Sequence, residues 1–457
     1  MQKRMQKGME TATPASSVIQ SGGKRYGYEW YVVVVCMLAY VLSFVDRQVL
    51  ALMIEPIKRD LHVSDTEFSL LQGFAFSLFY AIMGMPIAFL ADRYSRTRII
   101  TIGIALWSAA TAVCGLTYTF TQMFLARVGV GVGEAALSPS AYSMLSDFFP
   151  KEKLGRAVGM YSLGSFIGGG VAFLLGGYVI GMLKQVTTVT LPLLGDIRAW
   201  QVTFLIVGLP GLLIALLFML TVRDPQRKGA LHDAAGLVQR VSMADALRFI
   251  GSHGKTFSCH YLGFSFYAMT LFCLMGWTPA FYIRHFGFTP MRAGYTLGTI
   301  LLLSNTAGVL AGGWLSDFLL KRGRTDAPML AAVVGAAGML IPAVAFTLVD
   351  SLNMSLGLLV LAMFFASFPM PTSTAAMQML APNQMRAQVS ALFLLISNLI
   401  ALGIGTTLVA LLTDRWFGTP KAVGESMAVV NAVATLAAVA LLWLGCRHFR
   451  LSLQRKY

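Results

Sequence analysis

The sequence is poor in charged residues. Only 12% of its 457 residues are Asp, Glu, Lys or Arg, whereas 56% are hydrophobic. Because a typical soluble protein carries about 25% charged residues, this composition excludes a water-soluble fold. Cysteine is also scarce, and the spacing fits neither a disulfide framework nor a metal site, so we interpret the cysteines as small buried apolar residues. They are Cys36, Cys114, Cys259, Cys273 and Cys446.

Motifs of several other protein classes are missing from the sequence. It contains no His-Glu-x-x-His, Gly-x-Ser-x-Gly or Walker-type run, which disfavours a membrane-embedded enzyme and a nucleotide-driven pump. It also has no basic domain with interleaved aromatic residues, so we expect no binding of nucleic acid. A secondary transporter and a non-transporting membrane sensor of solutes remain.

Long apolar blocks are the dominant feature of the chain. Each is long enough to cross a bilayer core of about 30 Å as an α-helix that rises about 1.5 Å per residue. We therefore predict an all-α polytopic membrane protein with twelve transmembrane helices. The predicted helices cover residues 29–56, 66–91, 98–118, 120–148, 155–183, 199–222, 256–283, 290–316, 327–349, 353–381, 387–413 and 424–446.

The positive charges are distributed unevenly between the two sides of the membrane. Of 35 Lys and Arg residues, 25 fall in the two tails and the even-numbered loops and 8 in the odd-numbered loops. Because cytoplasmic segments are enriched in Lys and Arg, we predict that both termini are cytoplasmic. We expect a multi-pass protein of the plasma membrane or the bacterial inner membrane. The opening segment 1–28 is polar and basic, so we expect a cytoplasmic tail there and no cleavable signal peptide.

The longest interval between apolar blocks lies between helices 6 and 7. It divides the chain into a six-helix bundle over 29–222, a cytoplasmic linker over 223–255, a second six-helix bundle over 256–446 and a C-terminal tail over 447–457. Within the linker, the run Ser242-Met-Ala-Asp245 resembles a helix-capping box and precedes an amphipathic stretch. This pattern predicts a short helix on the cytoplasmic surface.

The two bundles repeat one another at an offset of 225 residues. Matching residues occur in matching contexts, which indicates a duplication of one six-helix unit. The pairs are Arg59 and Arg284, Ser64 and Thr289, Gly73 and Gly298, and Asp92 and Asp317.

The repeated aspartates belong to a recognisable loop pattern. Helix 2 ends in Ala88-Phe-Leu-Ala-Asp92 and helix 8 in Gly313-Trp-Leu-Ser-Asp317, and basic residues follow both. This pattern resembles the loop signature of the major facilitator superfamily. The resemblance covers essentially the whole chain and implies the major facilitator fold, in which two six-helix bundles enclose a central site. We expect five charged residues of these loops to control the conformational change: Asp92, Arg93, Arg96, Asp317 and Arg324.

Four ionisable residues lie inside predicted helices, with Asp46 and Arg47 in helix 1 and Arg127 and Glu134 in helix 4. Each costs about 2.5–3.5 kcal/mol at a helix centre, so we expect these residues to face a cavity and to pair. Asp46 and Arg127 have similar predicted depths, which suggests that they pair. A purely structural ion network between helices 1 and 4 is the alternative. Because Asp46 corresponds to Leu271 in the second half, the one-sided charge favours a coupling site.

The glycine-rich run from Arg127 to Glu134, together with the pair Asp46-Arg47, resembles the Spinster branch of the superfamily. Members of that branch export lysolipids and sphingoid phosphates. The resemblance implies proton coupling at Asp46, with Arg47, Arg127 and Glu134 as its charge network. We assign proton coupling to Glu134 as well. Ser43 and Tyr80 complete the predicted site.

These observations predict a proton-coupled or proton-gated secondary transporter that works by alternating access. The expected substrate is an amphiphilic anionic lipid of the lysophospholipid or sphingoid-phosphate type. We expect a monomer that uses the proton gradient and needs no cofactor or metal. A transporter of small organic anions and a non-transporting solute sensor are the alternatives.

Overall fold

The computed structural model describes residues 26–183, 188–191, 195–227, 243–382 and 385–454. Within these ranges, ten helices are long and apolar enough to cross a membrane. Two further crossings each consist of two shorter helices, so the predicted all-α fold with twelve crossings is confirmed.

The crossings of the first half are followed by those of the second half, and we number them 1 to 12. The first six are Gly27–Leu52 (helix 1), Asp65–Ser69 with Leu70–Phe74 and Ala75–Arg93 (helix 2), Arg96–Cys114 (helix 3), Phe120–Glu134 and Leu137–Phe148 (helix 4), Lys151–Met182 (helix 5) and Ala199–Thr221 (helix 6). The others are Gly254–Phe286 (helix 7), Pro290–Ile300 with Leu301–Asn305 and Thr306–Lys321 (helix 8), Ala327–Ala345 (helix 9), Leu352–Ala366 and Pro369–Leu380 (helix 10), Arg386–Asn398 with Leu399–Gly405, Thr406–Leu411 and Leu412–Phe417 (helix 11), and Val423–Gln454 (helix 12).

Helices 4 and 10 were expected to be continuous, but both are interrupted. Helix 4 breaks at Ala135 and Ala136, four and three residues before Pro139. Helix 10 breaks at Ser367 and Phe368, directly before Pro369. Because proline lacks an amide hydrogen and clashes with the carbonyl four residues earlier, it disrupts the preceding helical turn. The two breaks divide these helices near their middles.

We call the membrane side on which helix 1 begins and helix 12 ends the terminal side, and the opposite side the far side. On the terminal side, helix 12 continues to Gln454, so residues 447–454 of the expected C-terminal tail extend this helix. The helix expected in the linker spans Met243–Ser252 and leads directly into helix 7. Its expected cap, Ser242, lies outside the described residues.

The far side carries a short antiparallel hairpin that the sequence analysis did not predict. Its strands are β1 (Thr188–Leu191) and β2 (Gly195–Arg198), and Thr188 pairs with Arg198. A further short helix, Ile54–Leu61, follows helix 1 on this side. Asp60 of that helix accepts a hydrogen bond of 2.8 Å from the Trp200 indole at the start of helix 6. The start of helix 6, which follows the hairpin, is therefore fixed to the short helix after helix 1.

The internal repeat is visible in the helix caps and in the contacts between the halves. The side chains of Ser64 and Thr289 cap helices 2 and 8 by accepting a backbone N–H three residues later. Gly73 of helix 2 lies against the backbone of helix 11 at Leu402, and Gly298 of helix 8 lies against the backbone of helix 5 at Gly170. The matched glycines thus allow the close approach of the opposite half at two related places.

We predict that Gly298→Ala lowers the stability of the fold. A Cβ atom at Gly298 would lie 2.9 Å from the Gly170 carbonyl oxygen and 2.9 Å from the Leu174 amide nitrogen, which forces helices 5 and 8 apart. Overpacking of this kind costs about 1–3 kcal/mol. The measurement is the thermal unfolding midpoint in detergent.

The matched control is Gly357→Ala in helix 10, where nothing lies within 4 Å of an added Cβ. This control should be neutral or slightly more stable than the wild type, because alanine favours the helix by up to about 1 kcal/mol. Equal midpoints for the two variants would contradict the proposed close contact.

Candidate functional site

The charged residues predicted from the sequence lie near a small cavity between the two halves. Helices 1 and 2 contribute polar residues to this cavity, and helices 7 and 11 contribute mainly apolar groups. Its lining residues are Arg47, Gln48, Gln72, Phe272, Gly276, Leu402 and Thr406. Arg47 therefore belongs to the predicted charge network and also reaches the space between the halves.

Glu134 is the ion-pair partner of Arg47. The carboxylate Oε2 of Glu134 accepts hydrogen bonds of 2.6 Å from Arg47 Nε and 2.6 Å from Ser43 Oγ. The side chain of Glu134 is fully buried, whereas that of Arg47 retains 10% exposure. This pair joins helix 1 to helix 4, next to the break in helix 4 at Ala135. The second carboxylate oxygen of Glu134, Oε1, has no hydrogen-bond partner within the described residues.

Aromatic rings surround the Arg47 guanidinium. Its central carbon lies 4.3 Å from the ring centre of Phe76, 4.9 Å from that of Phe44 and 5.2 Å from that of Tyr80. Cations within about 6 Å of an aromatic face are attracted by the negative charge density of the ring. The rings therefore orient Arg47 and form an apolar wall around its guanidinium.

Asp46 is directed away from Arg47, towards helix 3. Its Oδ2 accepts a hydrogen bond of 3.2 Å from Thr111 Oγ1, and the residue is 2% exposed. Its Oδ1 has no partner among the described residues. Consecutive helical residues point about 100° apart, which explains why the two neighbours face different helices.

The predicted pairing of the Asp46 carboxylate with Arg127 is wrong. Arg127 is fully buried, and it donates to two backbone carbonyls, that of Leu71 at 3.2 Å and that of Asp46 itself at 3.4 Å. The two residues do lie at the same depth, as we expected, but depth does not fix the direction of a side chain. In the described part of the chain, Arg127 Nη2 has no acceptor.

Three polar residues near the charges were missed in the sequence analysis. Gln48 and Gln72 line the cavity, and Thr111 holds the Asp46 carboxylate. Gln72 donates a hydrogen bond of 3.2 Å to the Gly276 carbonyl of helix 7 and so connects the halves. The two glutamines were detectable as amides within apolar helices, whereas nothing in the sequence distinguishes Thr111 from other helical threonines.

Arg96, which we expected to control the conformational change, lies within a cluster of the first half. It is buried at the start of helix 3 and donates to Asp147 at the end of helix 4. It also donates to Asp224 Oδ1 at 2.9 Å and to the Pro225 carbonyl at 2.8 Å, both after helix 6. Arg96 thereby holds three helix ends together on the terminal side.

The second half has a corresponding cluster with the opposite arrangement of charges. Here the acid, Asp326, is buried before helix 9 and accepts hydrogen bonds of 3.0 and 3.1 Å from Arg324. Arg450 of helix 12 lies 3.5 Å from the same carboxylate. In the first half, by contrast, the residue at the start of helix 3 is the cation Arg96, and one of its acids, Asp224, follows helix 6. Each half is therefore tied together at its terminal-side end by its own ion pairs.

The remaining loop residues form fewer described contacts. Arg93 stacks on the ring of Phe89 at 4.0 Å, and Asp317 is exposed at the terminal-side end of helix 8. The side chain of Asp92 lies outside the described part of the structure. The gating roles of Asp92, Arg93, Arg96, Asp317 and Arg324 stay predictions.

Ion pairs join the two halves to each other on the far side. Arg284 at the end of helix 7 forms a two-pronged pair of 2.7 Å with Asp65, which begins helix 2. It also donates to Glu55 at 2.7 Å, and Lys58 contacts the same Asp65 carboxylate. Nearby, Asp414 of helix 11 accepts a bond of 2.7 Å from the Thr66 amide. We call this group of residues the far-side gate, because it closes the far end of the interface.

Two six-helix halves that are joined by ion pairs at the far side and enclose a charged cavity define a membrane transporter. The comparisons with known proteins agree. Residues 36–406 match the Major Facilitator Superfamily, and the chain belongs to this family.

Several curated relatives are transporters. An MFS-type efflux pump of Mycolicibacterium smegmatis is 27% identical, and the alignment covers 96% of this chain and 98% of the pump. A probable L-galactonate transporter of Escherichia coli is 25% identical over 74% of this chain and 72% of its own length. Protein spinster of Drosophila melanogaster is 25% identical over 70% of this chain and 51% of its own length.

A solved structure confirms the resemblance to Spinster. The crystal structure of a bacterial homologue of the human lysosomal transporter Spinster, in an inward-facing and unoccupied conformation, matches with a TM-score of 0.74. The two chains are 26% identical, and the match covers 94% of this chain and 97% of the other. The protein is thus a multi-pass, Spinster-like secondary transporter, and the family relationship points away from an enzyme.

We predict that Arg284→Gln opens the far-side gate. The substitution removes the charge that holds Asp65 and Glu55, so the buried Asp65 keeps only Lys58 as an ion-pair partner. The measurement is the distance between spin labels at Arg59→Cys and Lys421→Cys, one on each half, with the native cysteines replaced. A longer-distance population should appear.

The control is Arg292→Gln. Arg292 lies on the same side but stacks on Phe288 at 4.1 Å within its own half. The spin-label distance distribution of Arg292→Gln should match that of the wild type. An unchanged distribution in Arg284→Gln would show that the gate does not hold the halves together.

Proposed function

We propose that the protein is a proton-coupled secondary transporter of an amphiphilic anion, of the lysophospholipid or sphingoid-phosphate type. One observation carries the proposal: Arg47 lines the cavity between the halves and at the same time holds the buried Glu134. A substrate anion and Glu134 would therefore compete for the same guanidinium.

This competition provides a mechanism for coupling. When an anion binds Arg47, Glu134 loses its strongest donor and keeps only the Ser43 hydroxyl. A buried carboxylate without a cationic partner is costly, so a proton would replace the lost partner. Substrate binding and proton binding then favour each other.

Asp46 is the other proposed proton site, and the one expected to set the pH dependence of transport, because its carboxylate has no cationic partner within the described residues. Its carboxylate has a single described donor, Thr111, and a free Oδ1 that can carry a proton. The backbone carbonyl of Asp46 is held by Arg127, whose Nη2 is also free to bind an acceptor. A substrate anion that binds Arg127 would alter the hydrogen bond between Arg127 and the Asp46 carbonyl. Arg127 would therefore connect the bound anion to Asp46.

The amphiphilic character of the proposed substrate rests on the walls of the site. Phe272 and Leu402 line the cavity, and Phe44, Phe76 and Tyr80 surround Arg47. Such walls suit an acyl chain beside a charged headgroup. The resemblance of the sequence to the Spinster branch implies the same class of substrate.

A small organic anion is the second candidate. Gln48, Gln72 and Thr406 present amide and hydroxyl groups to the cavity, and such groups bind the hydroxyls of a sugar acid. The similarity to the probable L-galactonate transporter supports this candidate.

The remaining features of the proposal follow the sequence analysis. We place the protein in a plasma or bacterial inner membrane with both termini in the cytoplasm, where it works as a monomer. The proton gradient is its energy source, without a cofactor or a metal. In this orientation the far-side gate closes the extracellular end of the interface.

The proposal is tested by tracer flux into liposomes that contain the purified protein. We expect flux of a lysophospholipid or a sphingoid phosphate that exceeds flux of gluconate or a hexuronate at least tenfold. Arg47→Gln should reduce this flux at least tenfold, with its folding verified by size-exclusion chromatography. The reverse order of substrates would favour the second candidate, and no flux of any of them would reject both.

We predict that Asp46→Asn removes the pH dependence of transport. Asparagine keeps the size of the side chain and can still accept the Thr111 hydrogen bond, but it binds no proton. Flux of the wild type should change between pH 5 and pH 8, whereas flux of the variant should be flat. The control is Asp350→Asn at an exposed loop acid, which should retain the wild-type profile. A pH profile shared by the wild type and Asp46→Asn would exclude Asp46 as the coupling residue.

A further inference from the structure

We propose that a groove between helices 3 and 6 on the terminal side binds the headgroup of an anionic phospholipid. The groove is separate from the central cavity and has a volume of about 440 Å³. Its lining consists of Ser95, Thr97, Arg98, Thr101, Ile102, Met219, Val222 and Asp224.

The polar end of the groove offers hydroxyl and guanidinium donors. The hydroxyl oxygens of Thr97 and Thr101 are buried and have no hydrogen-bond partner within the described residues, and Thr97 is only 8% exposed. Arg98 is exposed and forms no ion pair in the described part of the chain. A guanidinium beside two hydroxyls is the donor set that binds a phosphate group.

The one acid in the groove, Asp224, already has a cationic partner. Asp224 Oδ1 accepts from Arg96 Nε at 2.9 Å, and its Oδ2 accepts from the Arg96 amide at 2.8 Å. Both carboxylate oxygens of Asp224 are thus engaged by Arg96, which Asp224 shares with Asp147. Two other basic residues, Arg93 and Arg227, lie on the same side of the membrane.

The apolar end of the groove identifies the ligand as a lipid. Ile102 is 66% exposed and Met219 is 57% exposed, and one turn deeper in the membrane Leu106 is exposed as well. These side chains face outwards from the helix bundle, where acyl chains lie. Hydrogen-bond donors for a phosphate group, with exposed apolar side chains one turn deeper, fit a membrane phospholipid better than a free phosphate. Basic pockets between transmembrane helices are known to bind anionic headgroups.

The experiment is native mass spectrometry of the delipidated full-length protein, titrated with phosphatidylglycerol or phosphatidylcholine. We expect one phosphatidylglycerol to be retained at collision energies that remove phosphatidylcholine. Arg98→Ala and the double variant Thr97→Val with Thr101→Val should each lower this retention at least fivefold. The double variant keeps the charge and the volume, so it tests the hydroxyls even if Arg98→Ala does not fold.

Two control variants separate this site from other lipid contacts. Arg322→Ala removes an arginine from the corresponding connection after helix 8, where it stacks on Phe318 at 4.2 Å. Arg47→Gln alters the central cavity. Both should retain the lipid as the wild type does. Equal retention of the two phospholipids by the wild type, or undiminished retention in the Arg98 and threonine variants, would overturn the proposal.

Discussion

Charge in the hydrocarbon interior of a membrane is the constraint on which the rest of this structure depends. A charged side chain there costs about 2.5–3.5 kcal/mol on the insertion scale, and the first half buries four such side chains in two helices. The structure meets this cost unequally. Arg47 and Glu134 compensate each other directly, Arg127 relies on two backbone carbonyls, and Asp46 has a single hydroxyl donor. The least compensated carboxylate is the group for which a proton makes the greatest difference, which is why we place coupling there.

The ion pairs outside the membrane core are of two kinds, those within one half and those between the halves. On the terminal side, Arg96 and Asp326 each tie together helices of one half. On the far side, Arg284 joins one half to the other. Alternating access requires that contacts between the halves break while contacts within each half persist. The observed distribution of charges satisfies both requirements.

The sequence was sufficient for the fold and for the charged residues near the cavity, but not for their pairing or for the neighbouring residues Gln48, Gln72 and Thr111. Block length and the 225-residue repeat identified twelve helices and matched Gly73 with Gly298, because these features depend on length and spacing alone. The rarity of charge in apolar helices identified Asp46, Arg47, Arg127 and Glu134. Their partners depend on side-chain direction and on contacts such as that with Thr111, which no local pattern encodes. The far-side gate was missed for the same reason: Asp65 and Arg284 are 219 residues apart, and each looks like an ordinary loop charge.

The central claim is that an anion and a proton share one charge network between the halves. The most direct test records the lumenal pH of proteoliposomes, with an enclosed dye, at the moment when the transported anion is added outside. The account predicts a lumenal pH change that follows anion flux in the wild type and is abolished in Asp46→Asn. Anion flux in the wild type without any movement of protons would contradict it.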